Sequence, residues 1–227
     1  MSPRPYELLV FDWDGTLIDS IGSIVACTQT TLAELGLEPL PDLAIRQTIG
    51  LGLKETLEAL LPDASRELAN QIRETYFHHW LTTYCHQPIL FPDVEPTLQR
   101  LAGEGYVMAV ATGKSRRGLE RDMARIGLRE YFATTRTVDE APSKPSPQML
   151  LDVLDDLGMH ARTTLMIGDT THDLHMARAA GVAAVAVTGG SQTRQTLAEA
   201  EPLDLLGSVL DLPEWLALRT AHALLPR

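Results

Sequence analysis

The chain has 227 residues, enough to bury a core without disulfides or structural metals. Hydrophobic residues make up 44% of it, a globular share that excludes disordered and collagen-like proteins. Its 19 Lys and Arg residues against 30 Asp and Glu residues give a net charge of −11, so we expect no nucleic-acid partner and no membrane partner. Cys27 and Cys85 have no metal-binding or redox spacing, and we expect free thiols in a cytoplasmic protein.

Short apolar segments predict β-strands separated by helices. The segments lack polar alternation, as parallel strands do when both faces are buried. They span residues 7–11, 106–111, 164–167 and 182–187. Helical spacing of apolar residues fills the intervals, as in Val94, Leu98 and Leu101. The sequence therefore predicts an α/β fold with a doubly wound, Rossmann-like parallel sheet.

Residues 20–88 interrupt this alternation, because they contain no strand-like segment. Their apolar spacing predicts helices over residues 20–35, 42–48, 53–61 and 64–85. We therefore predict an α/β core domain formed by residues 1–18 and 89–227. Residues 19–88 are predicted to form an all-helical domain inserted after the first strand.

Asp12 and Asp14 stand two residues apart, directly after the first predicted strand. Their like charges repel, and no neighbouring side chain in the sequence neutralises them. In open α/β sheets, ligands bind at the carboxyl ends of the strands. The pair therefore indicates a functional site rather than a helix cap and a solvated turn acid.

The segment around this pair, Phe-Asp-Trp-Asp-Gly-Thr-Leu, resembles the first motif of haloacid dehalogenase-superfamily phosphatases. Three further motifs of that family follow in order and extend the resemblance over nearly the whole chain. They are Thr112 after an apolar strand, Lys144 at the start of a later helix, and the acids Asp169 and Asp173 after another strand. The chain is most similar to the phosphoglycolate-phosphatase-like group, whose helical cap is inserted where residues 20–88 lie.

The resemblance implies hydrolysis of a phosphate monoester through an aspartyl-phosphate. Asp12 would be the nucleophile, which divides a difficult reaction into two steps. Asp14 would protonate the leaving alcohol and then activate water. Thr112 and the backbone N–H of Gly113 would hold the phosphoryl oxygens. Lys144 would offset the charges of Asp12 and the phosphate.

The resemblance also implies a bound Mg²⁺ ion, a hard cation that prefers oxygen ligands. The expected ligands are the Asp12 carboxylate, the Asp14 backbone carbonyl and the Asp169 carboxylate. Asp173 would hold the metal through water or orient the other ligands. A cluster of acids raises the pKa of one member, which would allow a protonated acid during the first step.

The predicted cap contains candidate substrate contacts. Arg46 and Lys54 are candidates for binding a substrate carboxylate, and the alternative is that both are exposed helix cations. Tyr76 and Trp80 stand four residues apart, and such an aromatic stripe is more typical of a core seam than of a ligand site.

Two further patterns resemble sites of other kinds. Residues 108–115 resemble the end of a P-loop, but Met108 replaces the first glycine, so we expect Lys114 to be a surface or helix-start cation, with a position near the site left open. His172 and His175 have helical spacing, but a zinc site needs more ligands of the right type.

The leading hypothesis is a Mg²⁺-dependent phosphatase that acts on a small soluble phosphate ester, as a monomer or a homodimer. Phosphomutases commonly have Asp-Gly-Val where this chain has Asp14-Gly15-Thr16, which disfavours that alternative. Haloacid dehalogenases lack the second acid, because a halide leaving group needs no proton. A non-catalytic binding protein is disfavoured because every motif residue is present.

Overall fold

A computed structural model of the protein describes residues 4–85 and 90–223. Its centre is a parallel sheet of six strands. The strands are β1 (Leu8–Phe11), β2 (Val107–Thr112), β3 (Thr134–Thr137), β4 (Thr164–Gly168), β5 (Ala183–Val187) and β6 (Leu205–Leu206). Their order across the sheet is β3-β2-β1-β4-β5-β6. The chain therefore winds outwards in both directions from β1, which confirms the predicted doubly wound α/β fold.

Helices cover both faces of the sheet. In chain order, the helices after the inserted segment are α5 (Val94–Gly103), α6 (Arg116–Ile126), α7 (Gln148–Leu157), α8 (Thr171–Ala179), α9 (Arg194–Glu199) and α10 (Leu212–Ala223). The apolar side chains of α5, α6 and α10 pack on one face, and those of α7, α8 and α9 pack on the other. The first four helices, α1 to α4, belong to the inserted segment described below.

The strand β1 is buried on both faces. Leu9 and Phe11 point into one core, whereas Leu8 and Val10 point into the other, as the period of two in a strand requires. This explains why its sequence is apolar without alternation. Since β1 lies between β2 and β4, the residues that follow Phe11 emerge where the winding direction of the sheet changes.

Two strands of the sheet, β3 and β6, were not predicted. The strand β3 has the sequence Thr-Thr-Arg-Thr and lies at an edge, paired only with β2 among the described strands. The strand β6 has two residues and pairs with β5 at the other edge. The strand β3 lacked the apolar signal because an edge strand does not need apolar side chains on both faces, and β6 is apolar but too short to be recognised.

The inserted segment is helical, with α1 (Ile21–Glu34), α2 (Asp42–Thr48), α3 (Leu53–Leu60) and α4 (Arg66–His79) between β1 and α5. The helix α4 continues into a π-helical turn over Trp80–Tyr84, so the predicted helix over 64–85 has two parts. The predicted boundary between residues 88 and 89 lies outside the described residues. Across the described ranges, no helix has the length and apolar character needed to cross a membrane.

Candidate active site

Asp12 and Asp14 leave the carboxyl end of β1 in a tight turn. Gly15 has a φ of 88°, a conformation that side chains with a Cβ rarely adopt. An added Cβ at Gly15 would also lie 2.8 Å from Cγ of Asp169. The glycine is therefore required both for the turn and for the close approach of a third carboxylate.

Three carboxylates meet at this edge of the sheet. The side chains of Asp12, Asp169 and Asp173 are buried, and their ligand atoms lie within 4.8 Å of one another. Lys144 is the cation between them, with its Nζ 2.6 Å from Oδ1 of Asp12 and 2.6 Å from Oδ1 of Asp173. The structure therefore brings four of the predicted site residues into one buried cluster.

Hydrogen bonds from loop residues hold Asp169 in place. Thr16 Oγ1 donates to its Oδ1 at 2.9 Å. The backbone N–H and the hydroxyl of Ser191 both donate to Oδ2 at 2.7 Å. No role was predicted for Ser191, because this residue follows β5 in a Gly-Gly-Ser loop that has no recognisable motif.

Hydrogen bonds at the start of α8 orient the side chain of Asp173. Its Oδ2 accepts from the backbone N–H of Thr170 at 3.1 Å and from the Thr170 hydroxyl at 2.7 Å, and the Thr170 hydroxyl accepts in turn from the Asp173 N–H. This reciprocal capping box satisfies backbone groups at the helix start. Because Oδ2 is occupied in this way, Oδ1 remains to contact Lys144.

Burial and like charges raise the pKa values of two acids in the cluster. Desolvation raises the pKa of Asp12 well above its ordinary value, and Asp173 and Asp169 add to this against the opposing charge of Lys144. Desolvation and the charge of Asp173 raise the pKa of Asp169 to about 6. Burial alone would lower the pKa of Lys144, but the charges of Asp12 and Asp173 raise it instead.

The cluster fits a hard divalent cation. The three carboxylates against the one ammonium leave an excess of negative charge in a buried place, and buried charges require a partner or a metal. Oδ1 of Asp12 has the Lys144 ammonium at 2.6 Å, whereas Oδ2 accepts no hydrogen bond from the described residues. Carboxylate oxygens are ligands that Mg²⁺ prefers.

Asp14 lies beside this cluster and has different partners. Ser20 Oγ donates to its Oδ1 at 2.6 Å. Lys114 Nζ lies 2.9 Å from the same oxygen and 3.1 Å from Oδ2 of Asp122. Lys114 directly precedes Ser115, the N-cap residue of α6, which fits the predicted helix-start cation; the alternative of a surface cation was wrong, since the Lys114 side chain is only 9% exposed. Asp14 is 100 residues from Lys114 in the sequence, so local pattern did not reveal that contact.

The end of β2 forms the other side of the site. The buried Thr112 hydroxyl accepts from the Lys114 N–H at 3.2 Å. Gly113 touches the inserted segment, because an added Cβ would collide with the carbonyl of Gly50 and lie 2.5 Å from the carbonyl of Leu51. Thr112 and Gly113 line the same cavity as Asp12, and their binding of the phosphoryl group stays a prediction.

A cavity of about 750 Å³ separates the sheet edge from the inserted helices. Its inner side contains Asp12 and Asp14, and its outer side contains Tyr76, Phe77 and Trp80. The rings of Tyr76 and Trp80 stack with their centroids 6.1 Å apart. These rings therefore line the cavity, and the preference for a core seam over a ligand site stays a prediction.

The predicted cap cations are placed differently from each other. Lys54 lines the cavity, but its side chain is 78% exposed and lies 3.7 Å from Glu58. Arg46 lies on α2 and is not among the described residues that line the cavity. On the core side, His172 Nε2 hydrogen bonds to the carbonyl of Gln47 at 2.9 Å, a contact between α8 and the inserted segment.

A family model and curated relatives match this chain over most of its length. The model of the haloacid dehalogenase-like hydrolases matches residues 9–187. A protein of Dickeya dadantii named "Probable phosphatase IndB" is 36% identical over 222 residues, which cover 96% of this chain and 94% of that protein. The phosphoglycolate phosphatase of Yersinia pseudotuberculosis is 32% identical over 209 residues, which cover 90% of each.

Solved structures share the fold. A hydrolase of Pseudomonas syringae has a TM-score of 0.84 and 25% sequence identity, with 93% of this chain and 98% of that chain covered. A phosphonoacetaldehyde hydrolase-like protein of Oleispira antarctica has a TM-score of 0.86 at 18% identity, with 96% of this chain and 94% of that chain covered. At that lower identity the likeness concerns the fold alone.

Proposed function

The chain belongs to the haloacid dehalogenase-like hydrolase family, and from that premise we propose that it is a Mg²⁺-dependent phosphatase of small phosphate monoesters. The observation that carries the proposal is the buried cluster at the end of β1, where Lys144 bridges Asp12 and Asp173 beside Asp169. Two relatives with phosphatase in their names support the same chemistry.

Asp12 is the proposed nucleophile, since its carboxylate is buried, lines the cavity and has an oxygen, Oδ2, that accepts no hydrogen bond from the described residues. In the first step, one of its oxygens attacks phosphorus and forms an aspartyl-phosphate as the bond to the leaving oxygen breaks. Asp14, in its protonated form, gives its proton to that leaving oxygen. The alcohol then departs.

The second step restores the enzyme. Asp14, now a carboxylate, takes a proton from water while the water oxygen attacks phosphorus. The bond between Asp12 and phosphorus breaks, and inorganic phosphate leaves. Asp14 lines the cavity near Asp12 but is not part of the three-carboxylate cluster. We assign both proton transfers to it for this reason.

The phosphoryl oxygens are assigned to donors at the end of β2 and to Lys144. Thr112 and Gly113 line the cavity together with Asp12, and the Thr112 hydroxyl and the Gly113 backbone N–H are the assigned donors. The ammonium of Lys144 lies 2.6 Å from Asp12 and offsets the charge that gathers during attack.

The metal ligands are assigned to Asp12, the Asp14 backbone carbonyl and Asp169, with Asp173 in a supporting position. Bound there, Mg²⁺ would offset the negative charge of the phosphoryl group. Phosphoglycolate-like acids and sugar phosphates are the proposed substrates. Arg46 and Lys54 remain candidate contacts to a substrate carboxylate, of which Lys54 lines the cavity.

The proposal is tested by measuring phosphate release from a panel of esters with Mg²⁺, with EDTA and with the Asp12→Asn variant. We expect release that requires Mg²⁺ and that the variant loses while its circular dichroism spectrum stays native. Full activity after exhaustive chelation would contradict the metal assignment. Near-normal turnover by folded Asp12→Asn would contradict the nucleophile.

A further inference from the structure

Apolar side chains of the inserted segment line the cavity and are partly exposed. Phe77 and Leu81 are each 40% exposed, and both line the cavity. They lie next to the stacked rings of Tyr76 and Trp80, where α4 passes into its π-helical turn. We call these four side chains, Tyr76, Phe77, Trp80 and Leu81, the apolar wall. Uncovered apolar surface inside a cavity indicates that something apolar is bound there.

The apolar wall lies on the leaving-group side of the site. The ammonium of Lys114 lies 5.3 Å from the centroid of the Trp80 ring and 2.9 Å from Oδ1 of Asp14. Asp14 is the proposed proton donor to the leaving oxygen, so the alcohol must lie beside it. The wall is therefore positioned to contact the alcohol rather than the phosphoryl group.

The cavity is also larger than a two-carbon alcohol needs. Its volume of about 750 Å³ is within the range of drug-sized ligand sites. A glycolate group would reach the phosphoryl-binding residues but would leave Phe77 and Leu81, each 40% exposed, uncovered. A planar or apolar ring would cover them, and contacts between rings are favourable beyond the area that they bury.

We propose that the preferred substrates are phosphate monoesters whose alcohol carries an apolar or aromatic ring, held against the apolar wall. This inference rests on the proposed phosphatase function and narrows its substrate class. It assigns Phe77 and Leu81 as specificity-determining residues. Their contacts are made with the alcohol, so the attack by Asp12 does not depend on them.

The test compares esters of primary alcohols, so that leaving-group acidity differs little. The ring-bearing esters are 2-phenylethyl phosphate and uridine 5′-monophosphate, and the ringless esters are 2-phosphoglycolate and glycerol 3-phosphate. We expect a higher kcat/KM for at least one ring-bearing ester. In Phe77→Ala, kcat/KM for that ester should fall about 10-fold, while kcat/KM for the ringless esters should change by less than about 2-fold.

Leu81→Ala and Leu151→Ala form a matched pair, because both leucines are 40% exposed and only Leu81 lines the cavity. Leu81→Ala should lower kcat/KM for the ring-bearing ester, and Leu151→Ala should not. Equal effects of Phe77→Ala on both kinds of ester, or no effect on either, would overturn the inference and leave the phosphatase proposal standing.

A lack of turnover with every ester would contradict the phosphatase proposal instead. The inference would then be decided by calorimetric titration of Asp12→Asn, with and without Phe77→Ala. Tighter binding of 2-phenylethyl phosphate than of glycerol 3-phosphate, weakened by Phe77→Ala, would support it. Equal affinities for the two esters, or no loss of affinity in the double variant, would overturn it.

Discussion

Lys114 Nζ lies 2.9 Å from Oδ1 and 3.1 Å from Oδ2 of Asp14, so both carboxylate oxygens share one buried ammonium. The same ammonium pairs with the buried Asp122 at 3.1 Å. Burial alone would lower the pKa of Lys114, but the charges of Asp14 and Asp122 raise it above its ordinary value. A permanent cation therefore orients the proposed acid–base residue.

Replacing Lys114 with Met should lower kcat about 10- to 100-fold, because Asp14 loses the group that orients it. The measurement is steady-state kinetics with the best ester of the panel. Asp122→Asn is the matched control, since it keeps the contact between Lys114 and Asp14 and should lower kcat far less. Equal losses in the two variants would show that the buried pair matters only for folding.

Ser191→Ala should weaken Mg²⁺ binding about 10-fold, because residues that orient a metal ligand contribute to affinity at this scale. The hydroxyl of Ser191 donates to Oδ2 of Asp169, and the variant keeps only the backbone donor. The measurement is thermal unfolding at increasing Mg²⁺ concentration. Ser208→Ala, which removes a hydroxyl that accepts from Leu210 N, should leave the Mg²⁺ dependence unchanged.

The stability of the metal-free protein should depend on pH through Asp169, whose pKa rises from 3.8 to about 6 on folding. A raised pKa in the folded state gives a stabilisation that is fully present below 3.8 and is lost as the pH rises through about 6. Mg²⁺ binds the ionised carboxylate, so the increase in Tm on adding Mg²⁺ should be larger at pH 7.5 than at pH 5. These pH values lie about one unit or more above and below the pKa of about 6. An equal increase at both pH values would argue against metal binding by this acid.

Gly113→Ala should lower kcat/KM up to about 100-fold, because the added Cβ would collide with the carbonyl of Gly50 and displace the loop that borders the site. The matched control is Gly103→Ala on α5, where an added Cβ meets no described atom within 4 Å. Steady-state kinetics measure the loss of activity in both variants, and thermal unfolding measures any loss of stability. Unchanged kinetics in Gly113→Ala would show that the loop adapts without cost.

The fold and the centre of the site could be predicted from sequence because their signals are local. The strand β1 is recognisable from consecutive apolar residues, and Asp12 and Asp14 follow it directly. The edge strand β3 was missed because its Thr-rich sequence has no apolar run. The domain boundaries and the roles of the site residues stay predictions, which the variants above would test.

By itself, the sequence determined which residues follow which strands, and parallel strands place those residues at one edge of the sheet. Only the tertiary structure decided which groups pair across that edge. Lys114 and Asp14 are 100 residues apart, and Thr16 and Asp169 are 153 apart. Periodicity shows that one helix face is apolar, but it cannot distinguish a face that packs from one that borders a cavity. The aromatic rings of α4 could therefore be assigned to the cavity only once the positions of the helices around them were known.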